Sequence, residues 1–162
     1  MEKVIDKIST YNLFNYLLPG VLFVVLAKSF LFIDLTQGDI VLDVFIYYFI
    51  GLVISRFGSL VIETLLKKIK FLRFAEHEDF IIASKNDPKI EILSEGNNMY
   101  RTFIAMFVLL LLSKLYLYIR TLYPYLENLD FYILTALLLV MFLYSYRKQT
   151  AYIFKRINLT KI

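Results

Sequence analysis

Four uninterrupted apolar stretches, residues 13–33, 40–62, 103–119 and 129–146, constrain this chain more than any other feature of its sequence. Each is close to the roughly 20 residues that a helix rising 1.5 Å per residue needs to cross about 30 Å of hydrocarbon. Backbone N–H and C=O groups in lipid have no water to bond, so a single span must satisfy them within itself, as a helix. The expected fold is therefore all-α: an integral membrane protein with four transmembrane helices and a small helical segment outside the membrane. Composition agrees, since 59% of the residues are apolar against about 45–50% in soluble domains. At 162 residues, four spans leave room for one membrane domain only. There is no cysteine, which excludes a disulfide framework or a thiolate-ligated metal. The first apolar run reads as a retained helix, because acids accompany the lysines before it and no A-x-A-like cleavage site follows.

The connections 34–39 and 120–129 are short, so the spans pair into two antiparallel hairpins. Lys and Arg number two in residues 1–12, seven in 67–101 and five in 147–162, against Arg120 alone in the short connections. The positive-inside rule then places both termini and residues 67–100 in the cytoplasm. Tyrosines near the span ends, among them Tyr11, Tyr16, Tyr100, Tyr116, Tyr123 and Tyr146, suit an aromatic belt.

Within the second stretch, "ISRFGSLVIE" places Arg56 and Glu63 where lipid would make a charge expensive. Seven residues apart, they fall about 20° from one another on a straight helix. Gly51, Ser55 and Ser59 share that side and form a ladder of small residues, the pattern that lets helix backbones approach closely in lipid. This predicts a tight helix interface or an interface between copies. Arg56 and Glu63 either pair with polar neighbours such as Asn12, Asn15 or Arg101, or line a hydrated path between subunits. In "YNLFNYLLPG", Asn12 suits an N-cap, and Pro19 would kink the first helix near Asn15. Lys28 and Lys114 lie within reach of acids near the short connections, which predicts an ion-pair layer there or an acidic mouth for cations.

Between the hairpins, "KKIKFLRF" reads as a continuation of the second helix along the interface, with Lys67, Lys68, Lys70 and Arg73 on anionic headgroups. Two short helices follow, the second opening at Asp87 and Pro88 and stopping at Gly96. Their apolar residues, including Phe80, Ile81, Ile90 and Leu93, cannot form a core alone and need the membrane helices or a partner protein. Catalysis finds no support: no nucleotide-binding, zinc-hydrolase or nucleophile-elbow motif occurs, and no base in the membrane serves Ser59. The lone His77 lacks converging ligands, so neither metal nor cofactor is expected. Nucleic-acid binding is not expected either.

The stretches "YNLFNYLLPG" and "ISRFGSLVIE", in a four-span chain of this size, resemble small membrane subunits of bacterial phage-defence systems. The resemblance covers the first hairpin and carries over no residue role. It implies an inner-membrane component that works with a cytosolic sensor, either as an oligomeric, pore-like effector or as a non-conducting anchor.

Overall fold

A computed structural model describes residues 12–159, apart from the side chains of His77 and Leu159. Lys3, Lys7, Tyr11 and the His77 imidazole, which entered the reading above, lie outside the described residues. Helix α1 is Leu13–Leu31, α2 Ile40–Lys68 and α3 His77–Asn86. Helix α4 is Lys89–Leu122, and a 3-10 turn, Pro124–Leu129, leads into α5, Asp130–Leu159. No strand occurs among the described residues, and α1, α2, α4 and α5 are long and apolar enough to cross a membrane.

Helix ends follow local chemistry. The Asp39 carboxylate accepts the Leu42 N–H at 3.0 Å and caps α2. Gly38 reaches φ +80° just before it, a region that a side chain would strain. At the far end α2 stops at Lys68 instead of running on through "KKIKFLRF". Lys70 takes a left-handed φ of 59°. The Phe71 N–H then bonds the Leu66 carbonyl and the Lys70 N–H that of Lys67, both at 3.0 Å. That is the Schellman arrangement, formed here with lysine where glycine is usual. Residues 71–76 are consequently not helical.

Further boundaries differ from the expectation. Helix α4 does not stop at Gly96 but runs unbroken from outside the apolar stretch through to Leu122; a glycine mid-helix costs only about 1 kcal/mol, which the long helix absorbs. Its start lies one residue later than expected, with Pro88 at the N-cap and Lys89 first in the helix, while the Asp87 carboxylate accepts the Lys89 N–H at 3.0 Å. Asn12 is already helical and makes no capping bond with its side chain. Near Pro19 the accommodation is a π-helical turn, Leu13–Leu17, in which the Leu18 N–H bonds the Leu13 carbonyl. Proline lacks an N–H and crowds the carbonyl four residues back, and the wider turn relieves both.

Helix α2 is central, and each of its small residues admits a different neighbour. A Cβ on Gly51 would lie 1.7 Å from the Tyr16 carbonyl oxygen, and one on Gly20 1.8 Å from that of Tyr47, so α1 and α2 touch backbone to backbone. A Cβ on Gly58 would lie 3.1 Å from the Cβ of Ala105, which brings α4 alongside. Ile54, Ile62, Ala105 and Met106 form the apolar core at this α2–α4 contact. Helix α5 is peripheral, with none of its apolar span buried.

Candidate functional site: a charged and polar cluster at one end of the bundle

Four residues apart, the ladder positions of α2 drift about 40° per step on a straight helix. A π-helical turn at Gly58–Ile62 inserts extra backbone and offsets that drift, keeping the following turn directed at the bundle. Glu63 is the beneficiary, a carboxylate only 8% exposed. Arg101 of α4 reaches it at 2.7 Å, Lys67 of α2 at 2.9 Å and Lys148 of α5 at 3.6 Å. Lys148 also donates to the Ser59 hydroxyl at 2.7 Å and the Ser59 carbonyl at 2.8 Å, which ties α5 to α2. Three cations on three helices thus share one carboxylate. In a low-dielectric setting such an arrangement holds only while the acid is ionised, because the cations otherwise face one another unscreened.

One turn deeper lies an uncharged network. The Asn15 amide donates to the Ser55 hydroxyl at 3.3 Å, and the Asn15 carbonyl oxygen is 3.0 Å from the Thr102 hydroxyl. The single Thr102 proton is shared between that oxygen and the Asn98 carbonyl at 2.8 Å. All three side chains are buried, and they join α1, α2 and α4 at one depth. Such bonds between spans contribute about 0.6–2 kcal/mol each.

Of the residues that the sequence singles out, Asn15, Ser55 and Glu63 therefore converge through Thr102 and Arg101, while Gly51 and Ser59 seat α1 and α5 of the same chain. Although Lys148 borders both, Arg56 does not pair with Glu63. It lines a small cavity with Ser59, Ser145 and Lys148, on the α5 side of α2. Asn12 is half-buried and outside the network. Lys67, Lys68, Lys70 and Arg73 are exposed, with the Lys67 ammonium also 4.1 Å from the Phe74 ring. Phe80, Ile81 and Ile90 are half-buried, whereas Leu93 is 69% exposed. Thr102 and Lys148 escaped the sequence reading; the usable signal was a polar side chain entering the membrane at the depth of Asn15 and Ser55.

At the opposite end Lys28 pairs with Asp34 at 2.7 Å, Arg120 with Glu127 at 2.6 Å and with Asp130 at 3.2 Å. The Lys28 ammonium, and after it the Thr36 hydroxyl and N–H, hold the Asp34 carboxyl well below the usual carboxylate range. Lys114 donates to the Phe30 carbonyl instead of to an acid. No family model, curated protein or solved structure matches this chain.

Proposed function

We propose that the chain is a membrane anchor that holds a soluble protein through the segment between α2 and α4, with its termini and that segment in the cytoplasm of a bacterial cell. One observation carries the reading. The polar groups that a water path would need find partners inside a single chain: Asn15, Ser55 and Thr102 bond to one another, and Glu63 pairs with Arg101, Lys67 and Lys148. The segment left over opens with the basic run Lys67, Lys68, Lys70 and Arg73 and displays Phe71, Phe74 and Ile82 to the outside, as the start of α4 does Ile92 and Leu93. Among the described residues its helix α3 packs chiefly against α4, so a partner can engage it with little disturbance of the bundle. The resemblance to phage-defence subunits favours a cytosolic sensor as that partner, and the basic residues favour additional contact with anionic lipid.

The test replaces residues 71–86 by a Gly/Ser linker and compares what co-purifies with each version from native membranes in mild detergent. The anchor reading expects a defined soluble protein with the intact chain and its loss with the linker variant, at unchanged melting temperature. Both versions are also assayed for ion conductance in liposomes. A current that changes charge selectivity in Arg56→Glu would overturn the anchor and establish the pore-like alternative.

A further inference from the structure

We infer that the bundle holds one anionic phospholipid between α2 and α5, its phosphate on Arg56, Ser145 and Lys148 and an acyl chain in the cleft beside them. Helix α5 is fixed at its two ends. Near its start, Asp130 meets Arg120 at 3.2 Å and accepts a hydrogen bond from Tyr116; near the other end, Lys148 sits on Ser59. Between the two ends, the Phe49–Phe142 stack at 6.3 Å joins α2 and α5. A cleft of about 900 Å³ lies there, walled by Val53, Phe57 and Leu60 of α2, Leu109 of α4 and Leu134 and Leu138 of α5. Asp130 and Ser145 are fifteen residues apart, or about 22 Å along the helix, more than half of the roughly 30 Å hydrocarbon thickness. The cleft is partly open and lined mostly by apolar side chains, so in a membrane it is a place for a chain-like apolar guest.

Its occupant is specified at the basic end. Leu60 borders both the cleft and a second cavity of about 40 Å³, whose remaining walls include Arg56, Ser59, Ser145, Lys148 and Gln149. The Ser145 hydroxyl is buried there without a hydrogen-bond partner. Arg56 makes no hydrogen bond or ion pair with the described residues. The cavity is thus rich in donors, and with Lys67 and Arg101 nearby its surroundings hold four cations to the single carboxylate of Glu63. Water alone would satisfy Ser145 but not the charge of Arg56, which is costly at this depth unless it is paired. A free phosphate would satisfy the cavity and leave the cleft empty. A phosphodiester bearing acyl chains fits both, and the surplus positive charge favours a lipid of net negative charge over a zwitterionic one.

The inference requires membrane insertion but not a soluble partner, so the purified full-length chain tests it separately from the anchor reading. Binding and melting temperature are measured in neutral detergent with phosphatidylglycerol, phosphatidylcholine, diacylglycerol and inorganic phosphate. Phosphatidylglycerol is expected to bind most tightly and, near a hundredfold excess over its Kd, to raise the melting temperature by about 5 °C or more. Arg56→Gln should weaken it about tenfold or more while leaving the lipid-free melting temperature nearly unchanged, since Arg56 makes no hydrogen bond or ion pair with the described residues and glutamine keeps most of its packing stem. Leu138→Trp, which fills the cleft, should weaken it as well. Equal affinity for phosphatidylglycerol and phosphatidylcholine would overturn the inference. So would inorganic phosphate matching the lipid, or undiminished lipid binding by either variant.

Discussion

Adding a single methyl group at Gly51 should do more damage than its size suggests, and the reason is geometric. The new Cβ would stand 1.7 Å from the Tyr16 carbonyl oxygen, where ordinary contact begins at 3.4 Å. Neither group is the end of a flexible side chain, so α1 and α2 must separate by roughly the difference, about 1.7 Å. A gap of 0.5–1 Å already forfeits a quarter to a half of each atom pair's attraction of about 0.1–0.2 kcal/mol. Dozens of such pairs line this contact, which puts the dispersion loss near 2–3 kcal/mol. The Asn15–Ser55 hydrogen bond, already 3.3 Å long, would also break, removing about 1 kcal/mol more. The expected destabilisation of Gly51→Ala is therefore about 3–4 kcal/mol.

Gly96→Ala is the matched control, because nothing lies within 4 Å of a Cβ there and the position is helical. Alanine at an open helical site should stabilise by about 0.5–1 kcal/mol. The assay is reversible unfolding of both variants in mixed micelles, followed by helicity and extrapolated to zero denaturing detergent. Opposite signs for the two glycines would support the backbone contact between α1 and α2. A Gly51→Ala protein as stable as the parent, or a Gly96→Ala protein equally damaged, would refute it.

Glu63→Gln leaves Lys67, Arg101 and Lys148 facing one another, and should destabilise by about 2 kcal/mol, below the 3–5 expected of a fully buried pair because all three cations retain some solvent. Adding Lys148→Met should recover part of the loss in the same unfolding assay, and an additive double variant would disprove the shared cluster. The depressed Asp34 carboxyl predicts a pH signature: its contribution is full above the unfolded value of about 4 and declines as pH falls from there toward the lower folded value. The melting-temperature difference between the parent and Asp34→Asn should thus be constant from pH 7 to about 4 and shrink below it; a difference unchanged at lower pH would contradict the ion pair with Lys28.

Span number and helical class were legible because they depend on runs of residues long enough to average out local detail. Helix ends were less so. The stop at Lys68 uses a lysine in the left-handed conformation, and Gly96, a residue that commonly ends helices, continues one. Partnership around α2 was partly legible for the same kind of reason. A small-residue ladder announces that something approaches closely, but the three π-helical turns of α1 and α2 re-phase the side chains, and no periodicity at 100° per residue anticipates them. Arg56 and Glu63, 20° apart on an ideal wheel, consequently part, Glu63 pairing with Arg101 and Lys67 and Arg56 lining the cavity beside Ser145, with Lys148 next to both. Lys148 was hidden for another reason: it stands in a basic run after the last apolar stretch, where a lysine ordinarily meets headgroups.

The two modes of attachment around α2 imply different tolerances. Between α1 and α2 the backbones themselves are in contact, so every added atom is felt and the geometry has one solution. Helix α5 is held by long side chains at its ends, with an apolar cleft and one aromatic stack along the interval between them. Lysine and arginine reach partners over a range of distances at little cost in torsional energy, so such a helix can shift laterally while keeping its contacts. In lipid, where apolar surface gains nothing by leaving the solvent, only packing and polar bonds resist that shift. The position of α5 is therefore more open to change than that of α1, and a substitution that fills the cleft or removes the charge at Lys148 should move it first.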